Sequence, residues 1–233
     1  MKKNNFFSNK IFFIAEAGSN FNQNFATAKK LVDLAKNAGA DLIKFQLFDP
    51  IKLYPNNPKM FKIFDDIKLT KQMFIKIKKY ADKKKIMVSA SVFDLDLAKF
   101  LNDLEVPLNK IASSELINLE LIDYLSKSKK PIVLSTGMSD LDDIKRAVNI
   151  CEKNKNYNIS ILQCGSVYPL SYQDVNLNVL STFKDTFGYP IGLSDHTLDN
   201  LAAITSVGMG ATVFEKHFTL SKKMKGPDHF YAL

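Results

Sequence analysis

The sequence is poor in cysteine and contains no long apolar run. Its two cysteines, Cys151 and Cys164, fall in a helical and a strand-like segment. Neither their number nor their spacing fits a disulfide framework or a zinc knuckle, so we expect both thiols to be reduced and structural. No stretch reaches the roughly 18 to 20 consecutive apolar residues that span a bilayer, and residues 1–10 lack the features of a cleaved leader. We therefore expect a cytoplasmic protein without a membrane partner.

The net charge of +8 comes from lysines spread over predicted helices, including a cluster between residues 76 and 85. The chain lacks the glycine-aromatic motifs of RNA-binding modules. Scattered lysines bind phosphate without specifying a partner, so we interpret them as a solvated surface and expect no nucleic-acid partner. A basic site would instead suit an anionic metabolite.

Eight apolar segments of strand length alternate with seven helical patterns. The strands are predicted at 11–15, 42–46, 86–91, 108–112, 131–135, 159–164, 191–193 and 213–216. The helices are predicted at 26–38, 70–84, 94–104, 119–128, 139–153, 175–187 and 200–209. The loop 49–59 contains three prolines and is predicted to be irregular, extended and long enough to fold over a site.

This alternation favours a parallel sheet with right-handed crossovers, and eight such strands close into a (β/α)8 barrel, the TIM-barrel fold. An open doubly wound sheet is the alternative, but residues 16–20 do not carry the glycine-rich dinucleotide fingerprint. We predict one catalytic domain over residues 1–233. Only residues 230–233 follow the last loop, too few for the eighth helix, so we expect a fragment or a barrel completed by other material.

In a closed barrel the carboxyl ends of all strands meet at one mouth. The polar residues predicted there are Glu16, Lys44, Gln46, Ser89, Ser91, Lys110, Ser113, Glu115, Ser135, Thr136, Gln163, Ser166, Tyr168, Ser194, Asp195, His196, Lys216 and His217. Lys44 and Lys110 stand in apolar segments, where an unpaired ammonium is strongly disfavoured. They require an anion. It is either a substrate that bears phosphate and carboxylate groups or an internal carboxylate of Glu16, Glu115 or Glu215.

The two histidines His196 and His217 end consecutive predicted strands, which lie roughly 5 Å apart in a sheet. Both imidazoles can reach one metal ion and leave coordination positions open for water or a substrate oxygen. Such a site acts as a Lewis acid on a carbonyl. Without a cysteine ligand pattern, Mn²⁺ is favoured over structural zinc, with Mg²⁺ and Co²⁺ as alternatives. Glu16 and Glu115 are the acid/base candidates.

Eight short motifs occur in an order that resembles the barrel domain of the sialic acid synthase family, over residues 11–233. They are IAEAG (14–18), GAD with KFQ (39–46), KIAS (110–113), LSTGM (134–138), YP with VNL (168–177), GLSDHT (192–197), GAT with EKHF (210–218) and GPDH (226–229). This family makes nonulosonic acids such as N-acetylneuraminate and legionaminate.

The resemblance implies that phosphoenolpyruvate adds through its methylene carbon to the aldehyde of an open-chain N-acylated hexosamine, with water entering at the enol carbon and phosphate leaving. It implies that His196 and His217 hold the metal and that Glu16 and Glu115 handle protons or position hydroxyls and water. The substrate-binding residues implied are Lys44, Lys110, Ser113, Ser135, Ser194, Tyr168 and Asp228, the last two on the sugar side. The family is dimeric, so a homodimer is implied as well.

Three positions depart from the family pattern. Phe21 stands where the family has a loop histidine, Ser91 keeps a hydroxyl in an altered strand end, and Ser166 replaces an asparagine two positions before Tyr168. We include Ser91 and Ser166 among the substrate-binding candidates. The family also has an antifreeze-like domain that caps the partner's site with an arginine, and it has no counterpart in these residues.

Two other functions stay open at this point. One is a non-catalytic subunit of the same fold that binds phosphoenolpyruvate or metal or serves assembly. The other is a different phosphoenolpyruvate-dependent barrel that acts on a phosphorylated aldose. That enzyme would need extra cations for the substrate phosphate, which Lys52 or Lys59 of the loop 49–59 would have to supply.

Overall fold

A computed structural model shows a closed barrel of eight parallel strands, as the alternating pattern predicts. The structure describes residues 5–7 and 10–233. Each strand is hydrogen-bonded to the next in chain order, and the last closes onto the first. The strands are β1 Phe12–Gly18, β2 Leu42–Leu47, β3 Met87–Val92, β4 Asn109–Ile111, β5 Ile132–Ser135, β6 Ile159–Cys164, β7 Ile191–Asp195 and β8 Val213–His217.

Helices surround the barrel and connect its strands. They are α1 Phe25–Asn37, α2 Pro50–Leu53, α3 Pro58–Asp65, α4 Lys71–Lys84, α5 Leu95–Asp103, α6 Leu119–Lys127, α7 Leu141–Lys153, α8 Val179–Phe187 and α9 Leu201–Gly208. Side-chain caps define several starts: Thr70 accepts from an N–H of α4, as the sequence predicts, and Asp140 forms a capping box with Asp143 in α7. The predicted helix at 175–187 begins only at Val179, after a 3₁₀ turn at Tyr172–Asp174.

The prediction for the loop 49–59 was wrong. This segment contains α2 and the beginning of α3, each with proline in its first turn and with Asp49 or Asn57 as the N-cap. A proline is tolerated there because the N–H that it lacks would be unpaired in any case. The prolines therefore start helices here instead of preventing them.

The barrel interior has an apolar floor below a polar upper layer. The floor is one cluster of buried side chains: Phe7, Phe12, Ile14, Leu42, Leu108, Val133, Leu162 and Val213. A larger apolar cluster fills the space between the strands and the helices. This packing leaves the carboxyl ends of the strands as the place where polar side chains enter the barrel.

One outer face of the barrel, over β8 and β1, is not covered by a helix. Residues 218–233, which follow β8, contain turns and no helix, as expected from the sequence. A groove of about 590 Å³ lies between α1 and α9, with Phe13, Leu34, Ile204, Val207, Phe214 and Leu233 among its lining residues. In the part of the chain that the structure describes, no helix is long and apolar enough to cross a membrane.

Candidate active site

Strand pleating decides which polar residues enter the barrel. Glu16 pairs in register with Lys44, and Ser194 with Glu215, and these side chains point inward. Side chains alternate along a strand, so Asp195 and Lys216 face outward, where Lys216 Nζ lies 2.7 Å from Asp195 Oδ2. Gln163 also turns away and donates to the Val175 carbonyl at 3.0 Å. The prediction that all the polar strand ends line the mouth was wrong for Gln163, Asp195 and Lys216.

Four buried ionisable side chains occupy the mouth. Lys44 Nζ lies 2.8 Å from Glu16 Oε2 and 3.5 Å from Glu215 Oε2. Lys110 Nζ lies 3.7 Å from Glu215 Oε1. Each of these side chains is 7% exposed or less. Internal carboxylates therefore pair with both lysines, and they are Glu16 and Glu215, not Glu115.

Serine hydroxyls orient the two ammonium groups. Lys44 Nζ donates to Ser91 Oγ at 2.9 Å, and Lys110 Nζ donates to Ser135 Oγ at 2.7 Å. Ser166 Oγ lies on the neighbouring loop and donates to the Gly137 carbonyl at 2.9 Å. The mouth thus presents two lysines with a hydroxyl beside each one.

Burial and charge pairing set the ionisation of the two carboxyl groups. Burial raises the pKa of Glu16; Lys44 offsets part of this rise, and repulsion from Glu215 adds to it. Burial also acts to raise the pKa of Glu215, but attraction to Lys110 and Lys44 outweighs it and holds that pKa below its ordinary value. Glu215 is therefore the carboxylate, and Glu16 is the group that can hold a proton near neutral pH.

The oxygen atoms of the two buried carboxyl groups have different neighbours. On Glu16, Oε2 is paired with Lys44 Nζ at 2.8 Å, and Oε1 accepts from the Gln46 amide at 3.2 Å. On Glu215, Oε1 accepts from Ser194 Oγ at 2.8 Å, and Oε2 lies 3.5 Å from Lys44 Nζ. Side chains of the mouth therefore supply the donors that these buried acceptors need.

His196 and His217 lie side by side, with their ring centroids 5.9 Å apart. His196 Nδ1 lies 2.7 Å from the Gly165 carbonyl oxygen, which can only accept, so Nδ1 carries the proton and Nε2 keeps its lone pair. Ser194 Oγ is 3.3 Å from that Nε2 but donates its proton to Glu215. The His196 Nε2 lone pair therefore remains available.

Both imidazoles are neutral at neutral pH. Burial lowers the pKa of His196, and burial lowers the pKa of His217 to about 4. Neutral imidazole is the form that binds metal ions. Among residues 5–7 and 10–233, no group of three or more His, Cys, Asp or Glu side chains is arranged to hold a metal. The histidine pair therefore fits an open site, with the other ligands coming from water or substrate, and not a closed structural one.

One side of the mouth is aromatic and acidic. The Tyr168 ring lies 4.1 Å from the His196 ring, measured between centroids. Asp228 enters from the segment after β8, where its Oδ2 accepts from Ser19 Oγ at 3.0 Å and its Oδ1 accepts from the Tyr231 hydroxyl at 2.8 Å. Gly18 allows this approach, because its φ is +51° and a Cβ there would lie 2.9 Å from Asp228 Oδ2.

Two residues singled out in the sequence lie away from the charged cluster. Glu115 sits in a 3₁₀ turn, where its Oε2 accepts from the Asn118 amide at 2.9 Å; its acid/base role stays a prediction. Phe21 is fully buried and packs edge-on against Phe45, with centroids 6.0 Å apart. Phe21, which stands where the family has a loop histidine, is thus part of the hydrophobic core.

The chain is an α/β barrel, and the carboxyl ends of its strands form a candidate small-molecule site, where two buried lysines and two neutral histidines lie. Residues 31–233 match the sequence model of the NeuB family. The chain belongs to that family.

Similar proteins include an uncharacterized protein of Methanocaldococcus jannaschii, which is 44% identical over 94% of this chain and 65% of its own length. The N,N'-diacetyllegionaminic acid synthase of Campylobacter jejuni is 36% identical over 96% of this chain and 72% of its own length. The chain thus spans about two thirds of these relatives. The crystal structure of an N-acetylneuraminic acid synthetase from Leptospira borgpetersenii, in complex with citrate, superimposes with a TM-score of 0.93 at 31% identity, covering 97% of this chain and 79% of that one.

Proposed function

We propose that this chain is the barrel of a synthase that condenses phosphoenolpyruvate with the aldehyde of an N-acylated hexosamine to give a nonulosonic acid and phosphate. One observation carries the proposal: the buried lysines Lys44 and Lys110 share a mouth with the neutral pair His196 and His217. The mouth thereby combines cations for phosphoenolpyruvate, the anionic donor substrate, with ligands for a metal ion that binds the aldehyde carbonyl. The names of the relatives point to the same chemistry.

The donor binds over the lysines. Phosphoenolpyruvate carries a phosphate and a carboxylate, and both groups prefer ammonium donors and hydroxyls. Three hydroxyls are close to these cations or to the carboxylate between them: Ser91 beside Lys44, Ser135 beside Lys110, and Ser194 on Glu215. We include the Ser113 hydroxyl, in the 3₁₀ turn after β4, as a further donor.

The acceptor binds on the opposite, aromatic side. Tyr168 provides an apolar wall beside His196, and Asp228 provides an acceptor for sugar hydroxyls. We assign Ser166, which lies two residues before Tyr168 on the same loop, to the acceptor side as well. His196 and His217 would hold a divalent ion, with Mn²⁺ proposed and Mg²⁺ or Co²⁺ as alternatives, and this ion supplies Lewis-acid polarisation of the aldehyde.

In the reaction the donor methylene carbon forms a bond to the aldehyde carbon, and the aldehyde oxygen becomes a hydroxyl. Water adds to the former enol carbon, and the bond from that carbon to the phosphate oxygen breaks. Glu16 is a buried carboxyl group of the mouth with a raised pKa, so we assign it to hold or deliver a proton beside the reacting atoms. Glu115, in the 3₁₀ turn after β4, is a second proton-handling candidate.

The acceptor is proposed to lack a phosphate group. Of the two lysines considered for binding such a phosphate, Lys52 is engaged by carboxylates, with its Nζ 3.3 Å from Asp94 Oδ1 and 2.7 Å from Asp96 Oδ2. The Lys52 side chain is 44% exposed, so its ammonium group lies at the surface and not with the buried Lys44 and Lys110. This favours a free N-acyl hexosamine over a phosphorylated aldose.

The test supplies the chain with Mn²⁺, phosphoenolpyruvate and a panel of N-acyl hexosamines, free and 6-phosphorylated, and measures phosphate release and the sugar acid by mass spectrometry. We expect a sugar-dependent product that Lys110→Met abolishes. The Lys145→Met variant alters an exposed lysine on α7 and should retain the product. Failure of every sugar to raise phosphate release above the Lys110→Met level would contradict the proposal.

A non-catalytic role is the second candidate, and the apolar groove between α1 and α9 favours it, because an apolar surface of this kind suits contact with a partner. Under that hypothesis the chain binds phosphoenolpyruvate or Mn²⁺, as measured by calorimetry, without turning over any sugar in the panel. Turnover by the isolated chain excludes it.

A further inference from the structure

The segment that follows the last family motif folds back over the end of β8. The Leu233 N–H donates to the His217 carbonyl, and the Leu233 carbonyl accepts from the Thr219 N–H, both at 2.9 Å. This pairing carries Tyr231 into the mouth, where the residue is only 4% exposed. No sequence motif singles out Tyr231, and the condensation described above assigns it no role.

The Tyr231 side chain lies between the histidine pair and the acidic side of the mouth. Its ring centroid is 5.1 Å from that of His217, edge to face, and 5.0 Å from that of Tyr168. Its hydroxyl lies 2.8 Å from Asp228 Oδ1 and 3.5 Å from His217 Nδ1. One hydroxyl therefore stands between a histidine and a carboxylate.

The chemistry of these groups fixes the direction of the hydrogen bonds. The Asp228 carboxylate can only accept, so the single Tyr231 proton goes to it. A lone pair of the Tyr231 oxygen then faces His217, so this oxygen can only accept. His217 Nδ1 must therefore carry the proton and act as the donor. The Nε2 atom of His217 therefore keeps its lone pair. The Nε2 atom of His196 keeps its lone pair in the same way, because His196 Nδ1–H donates to the Gly165 carbonyl.

The two histidines are therefore oriented by different means. A backbone carbonyl of the loop between β6 and Tyr168 holds His196. A tyrosine hydroxyl holds His217, and the same hydroxyl is bonded to Asp228. A change in the contacts of Asp228 is thus transmitted to His217.

We propose that Tyr231 is a positioning residue that selects the metal-binding tautomer of His217 and links it to Asp228. This inference rests on the proposed function, because it concerns the same histidine pair. Partners of this kind typically change metal affinity by about 10- to 100-fold when they are removed. The Nδ1 contact is long at 3.5 Å, so we expect about 10-fold, the lower end of that range.

The test compares Tyr231→Phe with Tyr80→Phe. The control also loses one hydroxyl bonded to an aspartate, because Tyr80 donates to Asp33 on the outer helices. Calorimetric titration with Mn²⁺ should show about 10-fold weaker binding for Tyr231→Phe than for the wild type, and unchanged binding for Tyr80→Phe. Binding of phosphoenolpyruvate in the absence of metal should be equal in all three proteins.

Long-range proton–nitrogen NMR of the imidazoles gives a second readout that does not depend on metal. In the wild type, both His196 and His217 should show the Nδ1–H tautomer, and Tyr231→Phe should shift His217 alone toward Nε2–H. These spectra are recorded well below the melting temperature of each variant, so a loss of stability does not imitate the effect.

Two results would overturn the inference. Equal Mn²⁺ affinity and equal His217 spectra in wild type and Tyr231→Phe would refute the role of Tyr231 and leave the proposed function standing. A wild-type chain that binds no Mn²⁺ would instead refute the metal site of the proposed function, and the role of Tyr231 with it.

Discussion

Replacement of Glu215 by glutamine tests the charge balance of the mouth. The Glu215 carboxylate lies 3.5 Å from Lys44 Nζ and 3.7 Å from Lys110 Nζ. At an effective dielectric constant of about 20, each of these attractions is worth about 4 to 5 kcal/mol. Removing the charge also removes its own burial cost. The net loss of unfolding free energy should therefore be about 3 to 5 kcal/mol, as for other broken buried pairs.

Thermal and urea unfolding measure this loss. In a chain of this size, about 2 to 4 °C of melting temperature is expected per kcal/mol, so Glu215→Gln should melt about 6 to 20 °C below the wild type. Asp142→Asn is the control, because it neutralises a carboxylate in an exposed pair with Lys145 and should cost at most about 1 kcal/mol. The variant mouth carries an excess positive charge, so phosphoenolpyruvate should raise its melting temperature by more than it raises that of the wild type. Equal melting temperatures of Glu215→Gln and Asp142→Asn would refute the inference that the Glu215 carboxylate stabilises the buried lysines.

Four further predictions follow from the geometry. Mn²⁺ affinity should be constant from pH 8 to about 6 and fall toward pH 4, because the pKa of His217 is lowered to about 4. The metal-free protein should also lose stability as the pH falls from about 6.5 to about 4, because the unfolded chain binds this proton near the ordinary pKa of 6.5 and the folded chain does so only near 4. Glu16→Gln should fold normally but remove the alkaline limb of the pH–rate profile, because the raised pKa belongs to Glu16. Lys216→Met should lower unfolding free energy by about 3 kcal/mol in denaturant titrations, because it leaves the buried Asp195 unpaired. Gly137→Ala should destabilise the barrel in the same titrations, because its Cβ would lie 2.7 Å from the Cys164 carbonyl oxygen.

The closed barrel could be predicted from the sequence because strand and helix patterns have different periods and alternate along the chain. Helix starts such as Thr70 were predictable, because a capping side chain acts on a nearby backbone N–H. The short helices α2 and α3 were missed, because proline is compatible with both a loop and the first turn of a helix.

The candidate site was predicted unevenly. The pleat places Glu215 on the same face as His217 and Lys216 on the opposite face, so Glu215 could have been chosen from the alternation alone. The sequence prediction used Glu215 only as a pairing partner and placed Lys216 in the mouth.

Tyr231 was not predictable, because an irregular segment has no period that would place a side chain. Its position depends on the backbone pairing of Leu233 with His217 and Thr219, which is a tertiary contact. The contacts of Asp228 and Phe21 likewise follow from how loops fold onto the barrel.

The central claim, a condensation with cleavage of a carbon–oxygen bond, is tested most directly by running the reaction in ¹⁸O-labelled water. The protein is incubated with Mn²⁺, phosphoenolpyruvate and the N-acyl hexosamine that gives the most phosphate release. The masses of both products are then measured by mass spectrometry. We predict phosphate without ¹⁸O and a sugar acid that carries the label, since water enters at the enol carbon. Phosphate that carries ¹⁸O and is released without sugar would contradict the claim, because it would indicate simple hydrolysis at phosphorus.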